Sequence, residues 1–149
     1  MQYNNKIILQ ALFLSPLITQ ILLAVIFITM NKTYDIQSLA TVLGITGMIY
    51  IIYCIIVIPI AYAISIWLAA KDWLNFFSIV SGSLFIWLIV TIIGYLVFTG
   101  SFPNQLWKLF SNWYFYIIAV FTGCCYWSFL NIFSKKSQLI SNITDKAND

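Results

Sequence analysis

Long apolar segments alternate with short polar ones along the whole chain. Four runs without a charged residue, 7–31, 36–70, 73–107 and 109–134, contain 25, 35, 35 and 26 residues. Each run exceeds the roughly 20 residues that an α-helix needs to cross a hydrocarbon layer about 30 Å thick. The pattern therefore predicts an all-α integral membrane protein with four transmembrane helices in an antiparallel bundle.

Signals for helix ends narrow these runs to four spans of about 7–30, 45–70, 74–99 and 113–133. The second run is longer than a bilayer requires, because 35 helical residues rise about 52 Å. We therefore expect 36–44 to project beyond the lipid or to lie in the interface. The spans form a membrane domain, 1–134, and 135–149 is a polar cytoplasmic tail with little tendency to fold.

Proline and small residues mark bends and turns in this layout. Pro16 and Pro59 each remove a backbone donor inside a span and predict a bend there. The polar pair Lys71 and Asp72 predicts a tight turn, so that the second and third spans form an antiparallel hairpin. Gly100 predicts the end of the third span.

A short segment between the third and fourth spans has a helical pattern of its own. Its apolar residues recur at helical spacing behind Pro103, which suits a first helical turn. These residues are Phe102, Leu106, Leu109 and Phe110. The segment is too short to cross a membrane and predicts an interfacial helix before the fourth span.

Composition excludes two broad classes. Hydrophobic residues make up 62% of the chain and charged residues 7%, whereas an average soluble domain has about 25% charged residues. A soluble domain of this size could not bury so much apolar surface. Soluble globular proteins and disordered proteins are both ruled out.

Lysine placement predicts the orientation in the membrane. With both termini on one side, five lysines face that side and two face the other: Lys6, Lys71, Lys135, Lys136 and Lys146 against Lys32 and Lys108. Basic loops tend to stay cytoplasmic, so both termini are expected inside. Frequent Ile, Asn, Lys, Phe and Tyr without Arg is typical of AT-rich coding sequences. We expect a multi-pass protein of a bacterial inner (plasma) membrane.

The residues needed for most catalytic chemistry are missing from the spans. The chain has no His, Glu or Arg, and no charged residue falls within a span, so general acid–base catalysis at depth has no candidate group. Cys124 and Cys125 point about 100° apart on a helix, and Cys54 is distant in sequence. No spacing suits a metal ion. We expect no enzymatic activity, cofactor or metal site, and no nucleic-acid binding, because a basic patch is lacking.

Polar and small residues within the spans predict the working surface. In lipid, hydroxyl and amide groups turn toward other helices, and small residues let helix backbones approach closely. Gln20, near the middle of the first span, is the strongest candidate for a buried interhelical contact. We place an intramembrane contact surface at Gln20, Tyr53, Tyr62, Ser65, Ser78 and Gly82.

These features favour a protein that acts by binding other membrane helices. In size, number of spans and basic tail the chain resembles small polytopic immunity proteins directed against bacteriocins or contact toxins. That resemblance implies an inner-membrane protein that neutralises a pore-forming or ionophore toxin inserting beside it. The expected partners are the lipid bilayer and either a membrane protein or a membrane-inserting toxin, with a homo-oligomer as a further option.

Two other functions remain open. The same surface would suit an accessory or assembly subunit of a larger membrane complex, which predicts a stoichiometric partner in resting cells. A small transporter or channel is the third option. Four-span exporters driven by protons depend on a membrane-embedded carboxylate, which the spans lack. The sequence therefore favours a passive pore over a proton-driven exporter.

Overall fold

The fold is an all-α bundle, as the sequence predicts. The computed structural model describes residues 4–32, 34–102 and 106–148. Within them lie α1 (Asn5–Asn31), α2 (Ile36–Ala70), α3 (Phe76–Thr99), α4 (Leu106–Leu109) and α5 (Trp113–Asn148). In the described part of the chain, α1, α2, α3 and α5 are each long and apolar enough to cross a membrane. The short α4 precedes the last of them, and Pro103 lies outside the described residues.

Side-chain caps fix the first turns of three helices. Asn4, Asp35 and Asn75 precede α1, α2 and α3, and each accepts a hydrogen bond from a backbone N–H two or three residues further on. Such caps satisfy donors that have no partner within the helix. The bond from the Ser38 N–H also lowers the pKa of the Asp35 carboxyl. The cap places the start of α2 at Ile36, nine residues before the predicted span.

The connection between α2 and α3 is the predicted tight turn. Asp72 has a φ of 54°, a left-handed conformation that Asp adopts more readily than most residues. The Trp73 N–H donates to the Leu68 carbonyl oxygen over 2.9 Å. The Lys71 ammonium lies 4.4 Å from the Trp67 ring centre and 5.4 Å from that of Trp73. The end of α3 is also as predicted, since Gly100 caps it with a φ of 67°.

Two predictions concern the tail after the fourth span and the prolines within the spans. The last helix does not stop at Phe133, because α5 continues through the predicted tail to Asn148. Burial of Ser134 anchors the start of this extension, and no Pro or Gly follows to end the helix. Pro16 and Pro59 lie inside α1 and α2, and helix continues on both sides of each.

The four long helices form a ring in the order α1, α2, α3, α5. Of the four neighbouring pairs, α2 and α3 share the least extensive interface. The buried core lies at one end of the ring: Ile8, Ala11, Leu12, Ala61, Leu74, Ile79, Tyr126 and Leu130. We call this the packed end, and it includes the α2–α3 turn. At the opposite end, which we call the open end, fewer of the described side chains are buried.

Aromatic packing holds α4 at the open end. Trp87 of α3 lies with its ring centre 5.6 Å from that of Phe110 and 4.4 Å from that of Tyr116. The Tyr116 hydroxyl donates to the Phe110 carbonyl oxygen over 2.9 Å. These contacts tie the segment after α4 to both α3 and α5.

The outer surface is apolar over most of the ring. Large aliphatic and aromatic side chains on all four long helices are exposed, including Ile36 at 86% and Phe77 at 79%. Exposed apolar surface on this scale is unfavourable in water and suits contact with lipid.

Candidate functional site

A cavity of about 250 Å³ lies between α2 and α3. These two helices contribute most of its lining, and α5 and α1 provide the rest. We call it the α2–α3 cleft. It forms where the interface between two neighbouring helices is least extensive, so their side chains leave a recess unfilled. An engineered apolar cavity of about 150 Å³ accepts benzene, so this recess has room for a large side chain.

Small residues explain both the recess and the tight packing beside it. A Cβ atom added at Gly82, on the cleft side of α3, would meet no heavy atom of the described residues within 4 Å. A Cβ atom added at Gly123 of α5 would lie 2.7 Å from Ser83 Oγ and 3.4 Å from Val80 Cα. Gly123 therefore lets α5 approach α3 closely, whereas Gly82 leaves open space.

Hydroxyl groups line the cleft and differ in how they are paired. Tyr126 donates to Ser65 Oγ over 2.9 Å in the buried interior. The Ser83 hydroxyl donates to the carbonyl oxygen of Val80 on its own helix over 2.8 Å. Tyr53 and Ser78 also belong to the lining. The cleft thus combines an apolar wall with several polar groups that lie within the membrane-spanning region.

A second polar contact fastens α5 to α1 behind the cleft. Thr122 Oγ1 lies 3.1 Å from Thr19 Oγ1 and donates to the Ile118 carbonyl oxygen over 2.8 Å. The Thr19 hydroxyl in turn donates to the Ser15 carbonyl oxygen over 3.0 Å. Both Thr19 and Ser15 are buried. These hydrogen bonds of Thr19 and Thr122 fix the wall of the cleft that lies opposite α2 and α3.

The structure brings together four of the six predicted contact residues. Tyr53, Ser65, Ser78 and Gly82 all line the α2–α3 cleft.

The remaining two predicted residues, Gln20 and Tyr62, lie elsewhere. Tyr62 packs against the buried core at the packed end. The Oε1 atom of Gln20 is buried but has no hydrogen-bond partner among the described residues. The interhelical hydrogen bond expected for Gln20 is therefore not among the contacts of the described chain, and its role as a contact to another protein stays a prediction.

Several cleft residues were missed by the sequence reasoning. Trp87, Thr122 and Tyr126 all line the cleft. A signal for the last two was present, because Ala119, Thr122, Gly123 and Tyr126 are spaced at i, i+3, i+4 and i+7 and so share one helix face. The predicted contact surface included none of these four residues. Trp87 had a weaker signal of the same kind, because Ser83 and Thr91, four residues to either side, share its helix face.

The side chains that line the cleft carry no charge. Apolar side chains, small residues and hydroxyls make up its lining. The three cysteines are free, and the described residues contain no group of three His, Cys, Asp or Glu that could hold a metal ion. Close packing and hydrogen bonding are the interactions that this lining can offer.

This chain matches no protein-family model, no curated protein and no solved structure with which it was compared. The protein's class follows from its own fold and surface. Four apolar membrane-length helices in one bundle define it as a multi-pass, all-α membrane protein.

Proposed function

We propose that this is a non-enzymatic binding protein of the bacterial inner membrane whose α2–α3 cleft receives a transmembrane segment of another protein. The observation that supports this most is the cleft itself, a recess lined by hydroxyls in the least extensive interface of the ring. Helices in lipid gain no hydrophobic driving force by associating, so they depend on close packing and hydrogen bonds. The cleft offers both to an approaching helix.

The volume of the cleft limits how a partner would bind. About 250 Å³ holds one or two large side chains and is much too small for a helix, whose diameter with side chains is about 10 Å. A partner helix would therefore lie across the mouth of the cleft and insert side chains between α2 and α3. Tyr53 and Ser78 would supply hydroxyls to polar groups on that helix.

The specific form of the proposal is immunity to a membrane-inserting toxin. Neutralising a pore-forming or ionophore toxin requires only that its helices be held in an inactive arrangement. That task needs no ionisable group in the spans, and no charged residue lies in them. The resemblance to small polytopic immunity proteins in size, span number and basic tail supports the same function.

A co-culture experiment tests this proposal. A strain lacking the gene is grown with its unmodified parent, and survivors are counted with and without the gene restored on a plasmid. We expect selective killing of the deleted strain and rescue by restoration. Equal survival, with the toxin system shown to be active, would contradict immunity. A stoichiometric partner that co-purifies from resting cells would then favour the accessory-subunit function.

A pair of glycine variants links the phenotype to the cleft. Gly82→Leu places a large side chain in the recess, where the backbone has open space, and should abolish rescue. Gly94→Leu is the matched control, because Gly94 lies on the same helix, has equally open surroundings within 4 Å and does not line the cleft. Equal amounts of both variants in the membrane would show that the difference is in binding. Full rescue by Gly82→Leu would overturn the role of the cleft.

A further inference from the structure

A second, open groove of about 750 Å³ follows the outer face of α1, away from the α2–α3 cleft. Residues of α1 form its floor, while Tyr50 of α2 and Lys136 of α5 stand at its sides. The Tyr50 hydroxyl donates to the Phe13 carbonyl oxygen over 3.0 Å and fixes one side of the groove. We call this the α1 groove.

Positive charge is concentrated at one end of the α1 groove. Lys6, from the first turn of α1, and Lys136, from α5, both line it, and both are exposed. No acidic side chain belongs to the lining among the residues that the structure describes. Two helices thus present two cations to one site at the packed end, where the chain leaves the membrane.

Most of the remaining lining is apolar, although Asn4, Gln10 and Ser137 also belong to it. Along α1 the groove has the length of one lipid leaflet. Leu9, Phe13 and Leu17 line it at intervals of four residues along α1. From Lys6 to Leu17 the helix rises about 16 Å, which is close to half of a hydrocarbon layer about 30 Å thick. An acyl chain lying along these side chains would reach from the membrane surface to the bilayer centre.

We propose that the α1 groove is a binding site for an anionic phospholipid. Lys6 and Lys136 hold the phosphate of the headgroup, and one acyl chain lies along Leu9, Phe13 and Leu17. Basic pockets between membrane helices at the bilayer surface bind anionic headgroups by this charge complementarity. Two exposed lysines alone attract a free phosphate only weakly, because water and salt screen them. The apolar floor is what favours a lipid over a soluble anion.

The test uses the full chain purified in a neutral detergent. Binding of dioleoyl phosphatidylglycerol, dioleoyl phosphatidylcholine and dihexanoyl phosphatidylglycerol is measured by native mass spectrometry, with glycerol 3-phosphate as competitor. We expect the long-chain anionic lipid to bind at least tenfold more tightly than either other lipid. Glycerol 3-phosphate should not displace it. Equal binding of the two dioleoyl lipids would overturn the headgroup assignment, and displacement by glycerol 3-phosphate would indicate a free-phosphate site.

Two double variants with equal loss of charge locate the site. Lys6→Gln with Lys136→Gln should weaken phosphatidylglycerol binding about thirtyfold, since a lysine near an anionic surface contributes about fivefold. Lys71→Gln with Lys135→Gln removes two charges from the same end of the bundle without touching the groove. That control should stay within about twofold of the parent protein. Equal losses in both variants would overturn the groove as the binding site and leave only general surface charge.

Discussion

The Tyr126 hydroxyl donates a hydrogen bond to Ser65 Oγ over 2.9 Å, across the diagonal of the four-helix ring. The two side chains belong to α5 and α2, which are not neighbours in the ring order. Both are buried, at 7% and 6% exposure. The bond therefore joins two opposite helices at the edge of the α2–α3 cleft.

Removing this bond should destabilise the bundle. We expect Tyr126→Phe and Ser65→Ala each to lower the free energy of unfolding by about 0.6 to 2 kcal/mol, the range for interhelical hydrogen bonds in membranes. A double-mutant cycle, measured by unfolding in mixed detergent micelles, should give a positive coupling energy. Tyr114→Phe is the control, since Tyr114 is 60% exposed. Strictly additive losses would show that the two hydroxyls act separately.

Gly123→Ala tests the close approach of α5 to α3. The new methyl group would lie 2.7 Å from Ser83 Oγ and 3.3 Å from Ser83 Cβ. Overpacking of this kind costs about 1 to 3 kcal/mol, and we expect the lower end because the hydroxyl can rotate away. Adding Ser83→Ala should recover part of the loss in unfolding free energy. Gly82→Ala, which has open space, should change it little, and a similar loss there would contradict the packing described above.

Gln20→Leu separates packing from partner binding. The Oε1 atom of Gln20 is buried without a partner among the described residues, and an unsatisfied buried acceptor is unfavourable. We therefore expect membrane insertion to be unchanged and thermal stability in detergent to be equal or higher. Loss of immunity in the co-culture would then assign Gln20 to partner binding. An unchanged phenotype would remove Gln20 from the contact surface. A drop in thermal stability would contradict the finding that the Gln20 Oε1 atom has no hydrogen-bond partner among the described residues.

The cap of α2 should respond to acid. The Ser38 N–H stabilises the ionised Asp35 carboxyl and lowers its pKa below the ordinary value of 3.8. A lowered pKa means that this stabilisation is complete above pH 3.8 and is lost as pH falls through the lower value of the folded protein. The amide resonance of Ser38 should therefore titrate below pH 3.8. In Asp35→Asn, which keeps a capping oxygen but cannot ionise, that titration should disappear.

Reporter fusions test the orientation predicted from the lysines. A reporter fused after Ala70 should be active in the cytoplasm, and one fused after Gly100 should be active outside. The α2–α3 turn lies at the same end of the bundle as the first turn of α1, so the Ala70 fusion also reports the side of the N-terminus. A cytoplasmic reporter at Gly100 would reverse the whole orientation.

The sequence alone determined the number of membrane helices and several of their ends. Spacing of charges predicts four spans, because each charge is too costly to place within lipid. Gly100 and the Lys71–Asp72 turn mark ends through local backbone conformation. Such signals depend on a few neighbouring residues, and distant packing does not alter them. The tail was the exception, since α5 continues where local polarity gave no reason for a helix.

Only the tertiary structure decided which helix faces pack against one another. In lipid the outer face of a helix is as apolar as its inner face, so hydrophobic periodicity does not mark the interior. Gly82 and Gly123 each follow a small residue by four positions. Even so, Gly82 borders open space, whereas Gly123 lies at a close contact between two helices. The hydroxyls of Ser65 and Tyr126, 61 residues apart, meet only because the ring places α2 diagonal to α5. The shape of the cleft depends on such long-range contacts, which no local pattern of residues contains.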